Sequence, residues 1–106
     1  MKLSIDLLNN LIDITSNSAI ACFPYIGKNE KILADKAATD VMRDMLNKLN
    51  INGEVVIGEG ELDEAPMLYI GEKLGTNNGP EFDIAVDPLE GTNFAANNLP
   101  GALSVI

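Results

Sequence analysis

The chain has 106 residues, 46% of them hydrophobic, and 16 acidic against 7 basic residues give it a net charge of −9. That is enough for one small globular domain with its own core, and too acidic a balance for nucleic acid as a partner. No apolar run approaches the roughly 20 residues a bilayer span needs, so no membrane is expected, and the absence of histidine removes Ser/His nucleophiles and most zinc sites.

In chain order, Leu3, Leu7, Leu8, Leu11, Ile12 and Ile14 recur at a mostly helical spacing, which predicts a helix over 3–21 with one apolar face. Asp6 and Asn9-Asn10 interrupt it too early for a signal peptide. The single Cys22 excludes an internal disulfide and fits a reducing cytosol, so a cytoplasmic location is expected. Pro24 and Gly27 break the helix, and Lys28 to Lys31 reads as a charged loop.

Ala34, Ala37, Ala38, Val41, Met42, Met45 and Leu49 repeat at three and four, predicting a second helix over 34–49 packed on a core. Asp35 stands near its start, where a carboxylate has an ordinary use as a cap or first-turn charge. Asn50 to Gly53 ends the helix. Val55-Val56-Ile57 is a short β-branched strand. Glu59, Glu61, Asp63 and Glu64 follow between glycines and a proline, a loop that lacks the spacing of an EF-hand. Met67 to Ile70 reads as a strand or short helix, and Gly71 to Pro80 as a turn-rich loop.

The stretch that carries chemistry is Asp83-Ile84-Ala85-Val86-Asp87-Pro88-Leu89-Glu90-Gly91-Thr92. Its apolar run should be a buried strand that stops at Pro88, which cannot donate to a sheet ladder. Asp87 and Glu90 then leave the strand end three residues apart, around the Leu89 carbonyl. Hard cations such as Mg2+ take such oxygens. Thr92 adds a hydroxyl, and the amides of Gly91 and Thr92 are expected to open a helix that welcomes a phosphate oxygen. Asn93 to Pro100 gives no clear signal, and Ala102 to Ile106 is strand-like. Ten of the acids lie between Glu54 and Glu90, with Lys73 as the one base among them. Such crowding is costly without a counter-charge, so a cation site competes with the reading of a solvated acidic surface. Adjacent strands ending at Glu59 and at Asp87 would build that site. Two helices followed by strands predict an α+β layer, the helices covering one face of a mixed β-sheet.

The segment Val56 to Lys73, with Gly58-Glu59-Gly60-Glu61-Leu62-Asp63-Glu64-Ala65-Pro66 at its centre, resembles class II fructose-1,6-bisphosphatase. Asp87-Pro88-Leu89-Glu90-Gly91-Thr92 resembles that family's metal motif, a variant of a signature shared by the lithium-sensitive phosphatases. Ala34-Asp35 and Arg43 with Met45-Leu46-Asn47 also fit, so the likeness covers nearly the whole chain. It implies a layered sugar-phosphatase fold and Mg2+- or Mn2+-dependent removal of the 1-phosphate of fructose 1,6-bisphosphate by water. Asp35, Glu59, Asp87 and Glu90 match metal-binding positions. Thr92 matches a residue that orients the attacking water, and Asp63 a further acidic position counted with the catalytic ones. Glu90, Gly91 and Thr92 are expected to face the substrate.

The resemblance also implies a homo-oligomer and a place in gluconeogenesis. Ile32-Leu33, Asn93, Asn97-Asn98 and Gly101 depart from the family pattern. Family members are much longer, so residues 1–106 are expected to be the N-terminal part of the phosphatase domain, cut at a strand edge and without the second domain. No Lys or Arg follows Lys73 to hold a distal phosphate. A non-catalytic remnant that binds divalent cations or assembles with other chains is therefore the competing reading.

Overall fold

The first helix begins where Ser4 caps it: the Ser4 hydroxyl accepts the Leu7 N–H at 3.1 Å. It is α1, Ile5–Cys22. The chain is described by a computed structural model over residues 3–59 and 67–106. Pro24 then tightens the chain into a 3-10 turn, Phe23–Tyr25. The second helix, α2, is Lys31–Asn47. It starts three residues earlier than its apolar pattern does, because Lys31, Ile32 and Leu33 turn outward and contribute nothing to the buried stripe. Asp35 is consequently the fifth residue of α2, in its second turn. The cap or first-turn role is thereby excluded.

Among the described residues five strands form two sheets. In the first, β1 (Asn52–Ile57) lies between β2 (Lys73–Leu74) and β3 (Glu81–Ala85). β1 runs antiparallel to β2 and parallel to β3, so the sheet is mixed. The second pairs β4 (Asp87–Glu90) antiparallel with β5 (Leu103–Val105). The five-residue helix α3, Thr92–Ala96, joins them. The core lies between the helices and one face of the first sheet. Ile14 of α1, Met42 and Leu46 of α2, Val55 of β1, Leu74 of β2 and Ile84 of β3 meet there. The protein is an α+β domain, and among the described residues no helix is long and apolar enough to cross a membrane.

Four local expectations need correction. The strand does not run to Pro88 and stop: β3 ends at Ala85, and β4 starts at Asp87 and passes through Pro88. β4 pairs on one side with β5, and its register shifts between Asp87 and Glu90, so the proline leaves no ladder bond unmade. Nor is β3 buried along its length, since only Ile84 among its residues is buried. Met67 to Ile70 forms no helix and no strand beyond a single bridge residue, Tyr69. Leu68 is fully buried, and the Glu72 N–H donates to Tyr69 O at 3.0 Å, closing a turn instead. Inside the expected 71–80 loop, Lys73-Leu74 forms β2.

Candidate metal centre

The parallel register of β1 and β3 sets the site. Ile57 stands opposite Ala85. Glu59 and Asp87 each lie two residues further on, past the same end of neighbouring parallel strands. The Val86 N–H donates to Ile57 O at 2.9 Å and holds these ends together. Glu59 is fixed from its other side by Leu68. Its N–H donates to Leu68 O at 3.1 Å, and its carboxylate accepts the Leu68 N–H. Gly58 permits this approach: a Cβ there would stand 2.3 Å from Leu68 O.

Asp35 reaches the same place from α2. Its carboxylate accepts a hydrogen bond from the Glu59 carboxyl, an arrangement that needs one proton between the two acids. Burial pushes Glu59 up to about 8, and the charges of Asp35 and Asp87 push in the same direction. Burial also raises Asp35, with the Asp87 charge adding to it and the Glu59 hydrogen bond opposing it. Asp87 is raised by burial and then by the Glu90 charge, while the Leu89 N–H bond to its carboxylate opposes both. A carboxylate that accepts the amide two residues on is a tight local turn of the Asx kind, which aims Asp87 back along the chain.

The structure thus brings Asp35 and Glu59 into contact and sets Asp87 within reach of their charges. Glu90 acts on Asp87 and is exposed at the end of β4. Gly91 caps α3 at φ 79°, a left-handed conformation that suits glycine, and Thr92 is the first residue of that helix. The expected helix after Gly91 is therefore present. Its five residues are too few for a substantial macrodipole at a phosphate. Asp63, with Glu61 and Glu64, lies outside the described residues.

Among the described residues no group of three Asp, Glu, His or Cys side chains converges closely enough to hold a metal ion unaided. The donors nonetheless fit a hard divalent cation in kind, being carboxylate oxygens throughout. One of them is also idle: Asp35 Oδ1 is buried without a hydrogen-bond partner among the described residues. Such an orphaned acceptor carries a desolvation cost that a cation would relieve.

Thr39 is the residue that sequence reading missed. It is fully buried, one turn after Asp35 on the same face of α2, and its hydroxyl donates to Glu59 Oε1 at 3.3 Å. The available signal was a polar residue set inside an apolar helical stripe, four positions from a candidate ligand.

Comparison with known proteins gives this geometry a family. The chain is 54% identical over 93 residues to fructose-1,6-bisphosphatase 1 class 2 of Escherichia coli, an alignment covering 88% of this chain and 28% of that protein. It is 50% identical over 100 residues to the D-fructose 1,6-bisphosphatase class 2/sedoheptulose 1,7-bisphosphatase of Synechococcus sp., covering 94% and 30%. The same-named protein of Prochlorococcus marinus is 48% identical over 100 residues, again covering 94% and 30%. The chain therefore spans less than a third of the length of these relatives. The model of the bacterial, glpX-encoded fructose-1,6-bisphosphatases matches residues 5–106, and the chain belongs to that family.

Proposed function

We propose that this chain is the N-terminal, metal-binding part of a fructose-1,6-bisphosphatase that removes the 1-phosphate of fructose 1,6-bisphosphate, yielding fructose 6-phosphate and phosphate. The observation that carries the reading is the Asp35–Glu59 carboxyl contact beside Asp87, with Asp35 Oδ1 left unpartnered among the described residues. The printed names of the relatives supply the reaction. The layered sugar-phosphatase architecture, a homo-oligomeric state and a gluconeogenic role in the cytoplasm belong to the same proposal.

In this reading Asp35, Glu59, Asp87 and Glu90 hold Mg2+ or Mn2+. A bound cation would activate water and neutralise phosphate charge during in-line displacement. The Thr92 hydroxyl orients the attacking water. Asp63 is counted with the catalytic residues as a further acid. Glu90, Gly91 and Thr92 face the substrate phosphate. The Glu59 carboxyl must lose its shared proton before it can serve as a ligand, so cation binding and proton release are coupled.

The 106 residues alone turn over little substrate. No Lys or Arg follows Lys73, so this part cannot clamp a bisphosphate, and poor positioning costs on the order of a thousand-fold in rate. That same observation favours the second reading, a cation-binding or assembly module without turnover. The test is phosphate release from fructose 1,6-bisphosphate and sedoheptulose 1,7-bisphosphate. It uses the 106-residue chain and a chain extended to the relatives' length, each with and without Mg2+ or Mn2+. Metal-dependent release by the longer chain alone is expected. Full activity from the short chain would sink the fragment argument. No release by a folded, metal-loaded longer chain would sink the enzyme assignment.

A further inference from the structure

Helix α2 carries three polar side chains at one-turn intervals on a single face: Asp35, Thr39 and Arg43. The first touches Glu59, and the second donates to it. The third reaches the chain that holds Glu59 in place. Arg43 Nε donates to Glu72 Oε2 at 2.7 Å and Nη2 to Glu72 Oε1 at 3.0 Å, a two-pronged ion pair with Glu72 nearly buried. The same Nη2 also donates to the carbonyl of Met67. Met67 precedes Leu68, whose backbone exchanges hydrogen bonds with Glu59. Glu72 in turn accepts the Tyr69 N–H at 3.4 Å, and its own carbonyl accepts the Val55 N–H of β1 at 2.9 Å.

We propose that Thr39, Arg43 and Glu72 are positioning residues for Glu59: Thr39 aims its carboxylate at Asp35, and the Arg43–Glu72 pair pins the Met67–Leu68 segment that carries its backbone partners. The proposal rests on reading Asp35 and Glu59 as cation ligands. Its physical basis is that a ligand past a strand end has no ladder to fix it and takes its orientation from such outer contacts. A rigid helix spaces all of these contacts. Rotating or shifting α2 would displace Asp35, the Thr39 bond and the Arg43 anchor together, so the pair of acids keeps its relative geometry.

The test uses the 106-residue chain with Thr39→Val, Thr39→Ser and Arg43→Met, two of which keep side-chain bulk while removing the polar contact. Two quantities are read: Mn2+ affinity by calorimetry, and amide hydrogen exchange of Glu59 and Leu68 without metal. Thr39→Val should weaken Mn2+ binding about tenfold, and Thr39→Ser should restore it. Arg43→Met should speed Glu59 and Leu68 exchange about tenfold or more relative to the core amide of Met42. Unchanged exchange in Arg43→Met, or Mn2+ affinity in Thr39→Val equal to the parent, would overturn the proposal. If the parent chain itself binds no Mn2+, the cation reading fails, and the exchange data alone decide whether this clamp holds Glu59.

Discussion

The carboxyls of Asp35 and Glu59 share a hydrogen bond, although one comes from the second turn of α2 and the other from beyond the end of β1. Two acids can be so placed only if the pair keeps a proton, and burial raises both of them, Glu59 to about 8. The folded chain holds that proton up to about pH 8, whereas an ordinary glutamate loses it near 4.5. Between those values the native state binds more protons than the unfolded state, so stability must fall as pH rises. The metal-free chain should therefore melt highest at the acid end of this window and progressively lower towards its alkaline end. Glu59→Gln should flatten the slope. Melting curves in chelator across that range check it, and a melting temperature that rises with pH in the parent chain would contradict it.

Cation binding should act on the same pair. Mg2+ or Mn2+ at millimolar concentration stabilises the state that binds it and should raise the melting temperature, with Asp87→Asn showing a smaller rise. At neutral pH the binding should also release a proton from Glu59. Calorimetry in buffers of different ionisation enthalpy measures that release directly. Identical melting curves with and without metal would count against the centre.

A separate prediction concerns β5. Ser104 Oγ is buried and has no hydrogen-bond partner among the described residues. An unmade bond at a buried hydroxyl costs about 1–3 kcal/mol. Ser104→Ala removes the group with little loss of volume and should stabilise the chain by about 1 kcal/mol. Urea unfolding reads this as a higher midpoint at unchanged slope. A lower midpoint would mean that the hydroxyl has a partner in solution.

The surface offers another test. Ile5, Ile12, Ile20 and Phe23 are each more than half exposed along α1 and the turn after it. Among the described residues β3 has a neighbouring strand on one side only, which leaves a row of backbone donors and acceptors open. Exposed apolar surface and an open strand edge each invite pairing with other chains. The 106-residue chain should self-associate as its concentration rises, and sedimentation should show this. A monodisperse monomer throughout would refute it.

Periodicity placed α1 and the buried stripe of α2, because burying one face of a helix requires a repeat that the chain must spell out. Of the expected α1 face, however, only Ile14 is buried, while Leu3, Leu8 and Ile12 are exposed. β5 was marked by its apolar run, although Leu103 and Val105 are exposed. The strand-end motifs likewise marked Glu59, Asp87 and Glu90 and the turn at Gly91, since few other residues offer hard oxygen donors or a left-handed backbone, whereas Asp35 was marked by the family resemblance alone. Three things waited on tertiary structure. β2 is two residues long and exists only because β1 offers it an edge, so no local pattern announces it. The chain crosses Pro88 in extended form because β5 pairs with β4 around a shifted register. Finally, the protonated Asp35–Glu59 contact, the Thr39 hydroxyl upon it and the Arg43–Glu72 clamp join residues 20 to 29 positions apart. Sequence lists such residues without saying which will meet. Their meeting was decided by how α2 packs across the ends of β1 and β3, and that packing also removes the water that would otherwise keep Glu59 ionised.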